Sequence, residues 1–359
     1  MKQLALFFGV FVAHTLVALP RNLVESTKSG TIINIIYVAI IAILISYLIY
    51  KLIKNFSGSD IIDISEYLGG KVFKTIIGII FISYFSISSG ILLRNFCECL
   101  KIVYYPMTSL VFIILAFIVT LYIVLKFNFS SISKVNLIII PLVLISIVFL
   151  FVANSENFSI SNMFPIFGDG LFDTFVTGLG NISAFGGIAL LYFLPPYLQE
   201  PQKTKKVFLL SMLFSAIYLL LCVSIILFML IFLMYTNEIL PLYSAARYIE
   251  FGTFFQRLES IFLLIWILQV CCYLAIITKI SISILKKVTN CKYEKPIILL
   301  FTLLIFAISF LPKNYAISKF IESSVNKYLS IGITIFLGLI ILILANLKKR
   351  VKNKIERIS

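Results

Sequence analysis

Ten apolar stretches, each long enough to cross a bilayer, follow one another along this chain with only short polar connections between them. They run near residues 3–26, 31–53, 72–100, 107–126, 135–153, 178–198, 207–234, 254–285, 296–312 and 328–347. A hydrocarbon core about 30 Å thick takes roughly 20 residues of α-helix. The third and eighth stretches exceed that length and are expected to tilt or project. Hydrophobic residues make up 61% of the 359, charged residues only 13%, and the mean hydropathy is +1.10. A soluble domain is about one quarter charged. A soluble enzyme, a disordered chain and a nucleic-acid-binding domain are therefore excluded. Strand-like alternation is absent, which argues against an outer-membrane barrel. Pro20-Arg21-Asn22 interrupts the first stretch and no small-residue cleavage pattern follows it, so it does not read as a signal peptide.

The expected architecture is an all-α integral membrane protein of about ten transmembrane helices, forming one permease-like domain over 1–359. Helices 1–5 cover roughly 3–153, helices 6–10 roughly 178–347, and a basic tail follows at 348–359. The connection 54–71, with Asp60, Asp63 and Glu66, is expected to form a surface helix. The connection 154–177 carries Pro165, Gly168, Asp169, Gly170 and Asp173.

The chain holds 30 Lys and Arg against 15 Asp and Glu, a net charge of +15. One alternating set of connections carries 21 of the 30 basic residues and the opposite set nine. The positive-inside rule then places both termini in the cytoplasm. The excess charge reads as orientation and contact with anionic lipid rather than as a nucleic-acid surface. Cys97–Cys99 and Cys271–Cys272 are too close together for zinc spacing and read as small buried residues. Nothing calls for a metal or a cofactor, and no phosphate loop, catalytic carboxylate pair or nucleophile triad is visible, so no catalytic residue is assigned.

Ten helices allow a 5+5 inverted repeat (LeuT-like), in which the first helix of each half, helices 1 and 6, is discontinuous. Helix 1 carries Ala13-His14-Thr15 and then Pro20. Helix 6 carries Ser183-Ala184-Phe185-Gly186-Gly187 and then Pro195-Pro196. Such breaks free N–H groups for a ligand carboxylate and carbonyls for an ammonium; Gly and Pro also simply bend membrane helices. His14, the only histidine, reads either as a ligand or proton contact or as a neutral side chain bonded to a neighbouring helix. Arg94 and Glu98 stand four apart, a spacing for an ion pair. Arg257 and Glu259 are two apart and each needs another partner, so they read as helix or subunit contacts. Lys279 is either a coupling charge near the unwound segments or a lysine reaching for the membrane surface.

The order and spacing of several stretches resemble the spore germination receptor B-subunit family, the endospore germination permeases of the amino acid–polyamine–organocation superfamily. Ala13-His14-Thr15-Leu16-Val17-Ala18-Leu19-Pro20 is similar to that superfamily's unwound Gly-x-Gly-Ile-Phe-x-x-Pro segment, with Ala13 and Thr15 in place of its glycines. Asp63-Ile64-Ser65-Glu66-Tyr67-Leu68-Gly69-Gly70-Lys71 looks like the loop after helix 2. Arg94-Asn95-Phe96-Cys97-Glu98 with Pro106 and Thr108 resembles the end of helix 3. Asn162-Met163-Phe164-Pro165-Ile166 with Gly170, and Phe255-Gln256-Arg257-Leu258-Glu259-Ser260-Ile261-Phe262 with Trp266, complete the pattern. Where many members carry a glutamate after the helix 6 break, this chain has Gly186 or Gly187.

The resemblance implies a B-subunit of the spore inner membrane, acting with an A-type subunit and a lipoprotein C-type subunit. A small germinant such as an amino acid would bind between helices 1, 3, 6 and 8. Its contacts would be Ala13, His14, Thr15, Tyr84, Ser88, Ser183, Phe185, Gly186 and Gly187. An ion-coupled secondary amino acid transporter with the same pocket is the alternative.

Overall fold

The computed structural model describes residues 19–56, 58–197, 204–229, 240–249, 259–291 and 293–355. Among them there is helix and no strand. Helix α1 spans Leu19–Thr27 and α2 spans Thr31–Ile53. They are joined by a 3₁₀ turn at Lys28–Gly30, where Lys28 takes a left-handed φ of 48°. Helix α3 runs Ile61–Val103, α4 Leu110–Leu125 and α5 Phe129–Ala153. A short α6, Leu171–Phe175, leads into a 3₁₀ segment at Thr177–Tyr192. Then come α7 (Thr204–Phe228), α8 (Pro241–Arg247), α9 (Glu259–Thr289) and α10 (Lys295–Ser309). Helix α11 (Tyr315–Ser324) passes through a π-helical segment, Val325–Leu337, into α12 (Gly338–Ile355).

Among the described residues, seven helical runs are long and apolar enough to cross a membrane: Leu19–Ile53, Ile61–Val103, Phe129–Ala153, Leu171–Tyr192, Thr204–Phe228, Glu259–Thr289 and Tyr315–Lys352. Two shorter apolar helices, α4 and α10, coincide with the fourth and ninth apolar stretches of the sequence. With 16 and 15 residues they reach only about 24 and 22 Å at 1.5 Å per residue. The 16-residue Thr177–Tyr192 segment reaches about 32 Å, because a 3₁₀ helix rises about 2.0 Å per residue.

The burial pattern is that of a chain in lipid. On α5, Val135, Ile138, Leu142, Ile145 and Val152 are exposed, while Ser133, Asn136 and Ser146 are buried. Water would reward the opposite arrangement. The protein is an integral membrane protein.

Helix α3 is two helices joined end to end. Asp60 caps its first turn by accepting from the Ile62 and Asp63 N–H groups, and Asp63 returns the bond to the Asp60 N–H. Gly69 and Gly70 then leave helical geometry, Gly70 with a φ of 72° that only glycine adopts readily. The piece before the break is helical, as expected within 54–71, and it buries Ile61, Ile62 and Ile64 against the bundle. At this end of the bundle the Lys287 ammonium bridges Asp60 and Asp63, each at 2.6 Å. Burial pushes the Asp60 carboxyl up, and Lys287 opposes that shift. Lys348 donates to the Tyr67 and Leu68 carbonyls at 2.9 and 3.0 Å. Three connections assigned to one side of the membrane by charge therefore touch one another.

Close helix crossings need small residues. A Cβ at Gly90 of α3 would sit 2.5 Å from Ile308 Cγ2 and 3.3 Å from the Ile305 carbonyl on α10. At Gly332 nothing lies within 4 Å of that position. Gly90→Val is expected to cost about 1–3 kcal/mol by overpacking and to lower the melting temperature of the detergent-purified protein. Gly332→Ala should leave it unchanged or raise it.

Candidate functional site

Two non-α segments meet in the interior. The 3₁₀ segment Thr177–Tyr192 packs along the π-helical segment Val325–Leu337, and α3 packs against the latter. Phe185, fully buried, departs from helical geometry (φ −93°, ψ 27°), so the chain breaks inside Ser183–Gly187. Departures from the α-helix leave backbone groups that must find other partners in a membrane. One is met by Tyr192, whose phenol donates to the Thr334 carbonyl at 2.6 Å.

Beside the break, three groups from three elements converge. A Cβ at Gly186 would lie 2.7 Å from Ser330 Oγ and 3.5 Å from the Tyr84 hydroxyl. The Tyr84 phenol faces Ser330 and Ser88. Along α3, Tyr84, Ser88 and Asn95 fall on one stripe, at spacings of four and seven. The Ser88, Ser89 and Ser330 hydroxyl oxygens are buried without a hydrogen bond of ordinary geometry. Unpaired buried hydroxyls are costly and rare in folded proteins. Ser88 and Ser330 lie instead beside the Tyr84 hydroxyl, next to Gly186. Tyr84 stands 13 residues after Lys71 and ten before Arg94, roughly 20 and 15 Å along the helix, so the cluster lies between the two charged ends of the bundle. Aromatic packing of Phe81, Phe85 and Phe193 seals one side, with ring centroids 5.1–6.0 Å apart.

The structure thus brings together Tyr84, Ser88 and Gly186, with Ser183, Phe185 and Gly187 on the same broken segment. Ala13, His14, Thr15 and Arg257 lie outside the described residues. Arg94 and Glu98 pair at 2.8 Å on the buried side of α3, away from this cluster. Arg94 Nη1 also donates to the Ser309 carbonyl at 3.2 Å and its guanidinium stands over the Phe310 ring, so it fastens α3 to the end of α10. Glu259 opens α9 and is buried, 5% exposed. Trp266 is buried at 3%, which fits a packing role.

Lys279 lies late in α9. Its ammonium bonds Glu294 at 2.8 Å in the connection between α9 and α10. That bond, and the ammonium's charge, hold the Glu294 carboxyl below its ordinary value. A depressed carboxyl adds stability that is present above the unfolded-state value, about 4.3, and is lost as pH falls through the lower folded-state value. With Glu294 nearly half exposed, the contribution is below about 1 kcal/mol. The melting temperature of Glu294→Gln should therefore fall slightly short of the parent's at neutral pH and converge with it below about pH 4.

Three partners were not legible in the sequence. The stretch 313–327 reads there as an outer loop, but it is helical, and Glu322 is buried at 5% with Asn95 Nδ2 donating to its Oε2 at 2.6 Å. Ser330 and Tyr273, which faces Ser89 from α9, also escape a hydropathy scan. The available signal was the spacing of Ser318 and Glu322, four apart on one helical face.

The sequence comparisons agree with this architecture. Spore germination protein YndE of Bacillus subtilis (strain 168) is 23% identical over 351 residues, covering 96% of this chain and 95% of that protein. Spore germination protein A2 of the same organism is 27% identical over 278 residues, with 74% and 75% covered. Spore germination protein B2 is 23% identical over 230 residues, with 61% and 59% covered. Residues 1–318 match the spore permease family model, described as spore germination protein, and the chain is a member of that family of membrane proteins.

Proposed function

We propose that this chain is the ligand-sensing membrane subunit of a nutrient germinant receptor. The family match supports a germination role, and the relatives that it resembles are themselves spore germination proteins. The observation that carries the ligand-binding part is the convergence of the buried Tyr84, Ser88 and Ser330 hydroxyls beside Gly186 of the broken segment. A small polar molecule such as an amino acid would exchange hydrogen bonds with these hydroxyls. In this reading the fold is the ten-helix 5+5 repeat, helix 1 brings His14 and Thr15 to the same space, and closure of the two breaks shifts a two-state equilibrium. Only a germinant with different affinities for the two states can signal. A-type and C-type lipoprotein subunits in the spore inner membrane read out the shift, with Arg257 and Glu259 among the contacts, and both termini face the cytoplasm.

Deleting the gene from a spore-former that lacks other receptors should abolish the response to one germinant class. Unchanged germination with every nutrient would reject the role. Gly186→Val pushes a side chain against Ser330 and the Tyr84 hydroxyl and should abolish that response while the protein still reaches the membrane. Tyr84→Phe removes one neutral hydrogen bond, about 0.5–1.5 kcal/mol, and should raise the germinant concentration for half-response roughly two- to tenfold. Proteoliposomes test the transporter alternative, since accumulation of solute under an imposed ion gradient would favour it.

A further inference from the structure

Helix α11 is built inside out. Its buried residues are Ser318 and Glu322, while Ile317 and Phe320 are 40% and 70% exposed. The polar face is pressed onto α3. There the Glu322 carboxylate meets the Asn95 amide at 2.6 Å, and Asn95 is completely buried. Among the described residues, no Lys, Arg or His comes within ion-pair distance of Glu322; Lys319, one turn back on α11, acts on it only at longer range. Two more oxygens beside it have no hydrogen-bond partner: Asn95 Oδ1 and Ser318 Oγ, on side chains with no exposed surface.

A buried carboxylate bonded to one neutral amide is severely under-compensated. A carboxylate, an amide carbonyl and a hydroxyl are the oxygen donors that a hard cation takes, and they also match an ammonium, which has donors and no acceptor. We propose that Asn95, Ser318 and Glu322 form a binding site for a compact monovalent cation, either an alkali ion or a primary ammonium, that joins α11 to α3. The inference goes beyond the germinant reading, because cation binding is measured without any signalling output.

The test uses the full-length protein in detergent, at one pH and one ionic strength, in N-methyl-glucamine chloride. The probes are sodium, potassium, lithium and methylammonium chlorides. Binding to the folded state raises the melting temperature and saturates with concentration. We expect such a rise with at least one probe, its loss in Glu322→Gln, and a weaker apparent affinity in Ser318→Ala and Asn95→Ala. A rise with an alkali ion assigns the site to inorganic cations, and a rise with methylammonium alone assigns it to a ligand's amine. No cation-specific rise in the parent protein overturns the proposal. So does a rise that persists unchanged in Glu322→Gln. Should Glu322→Gln fail to fold, the shift in affinity in Ser318→Ala and Asn95→Ala decides alone, and unchanged affinity in both rejects the site.

Discussion

Side-chain amides that donate to main-chain carbonyls hold this bundle together where water is scarce. Asn34 donates to the Thr174 and Gly178 carbonyls at 2.7 and 3.0 Å, tying α2 to the start of the 3₁₀ segment. Asn154 donates to Leu150 and Ala245 at 2.9 and 3.1 Å, joining the end of α5 to α8. Asn162 reaches the Phe228 carbonyl at the end of α7, and Asn346 reaches Leu52 at the end of α2. Helix ends leave four carbonyls without helical partners, and hydrocarbon offers them none. Each of these asparagines supplies a fixed donor where a soluble protein would use solvent. The lipid-facing surface contributes little to specificity, since lipid tails are as apolar as leucine. The distinctive contacts are the polar ones.

The same constraint organises the centre. Regular helices satisfy their own backbones and have nothing to offer a ligand. The Thr177–Tyr192 and Val325–Leu337 segments depart from the α-helix and lie against each other. Their freed groups are met partly by side chains, as at Tyr192, and the Tyr84, Ser88 and Ser330 hydroxyls gather beside Gly186. The charged groups sit elsewhere. Lys279–Glu294 and Lys287 with Asp60 and Asp63 cluster at one end, and Arg94–Glu98 fastens α3 to α10 at the other. These pairs anchor the ends of α3, α9 and α10 and leave the middle of the bundle to neutral dipoles.

Much of this was readable from the sequence because lipid imposes a coarse code. Runs of about 20 apolar residues locate crossings, and the Asp60 cap and Gly69-Gly70 step mark the short first piece of α3. The break at Phe185 follows from the glycines beside it. Two features broke the code. Residues 313–327 are polar enough to read as a loop, but α11 turns its polar face inward, and hydropathy records composition without direction. The π-helical turns at Val325–Leu337 also have no local marker, because isoleucine, leucine and serine there suit an α-helix equally well. Ser330 and Glu322 became visible as partners of α3 only once the helices were placed side by side. The α1–α2 junction shows the reverse case. A polar step of four residues suggests a loop between crossings, and the chain instead keeps turning through Lys28–Gly30.

Tyr192 and Gly338 share one volume. A Cβ on residue 338 would lie 2.4–2.6 Å from the far end of the Tyr192 ring, the same phenol that reaches the Thr334 carbonyl. The bulk of one position is thus complementary to the smallness of the other, across nearly 150 residues of chain. Sequence drift at these two sites is then coupled: a relative with any side chain at the second position has to give up the tyrosine at the first, and with it that cross-brace, so the pair should diverge together or not at all.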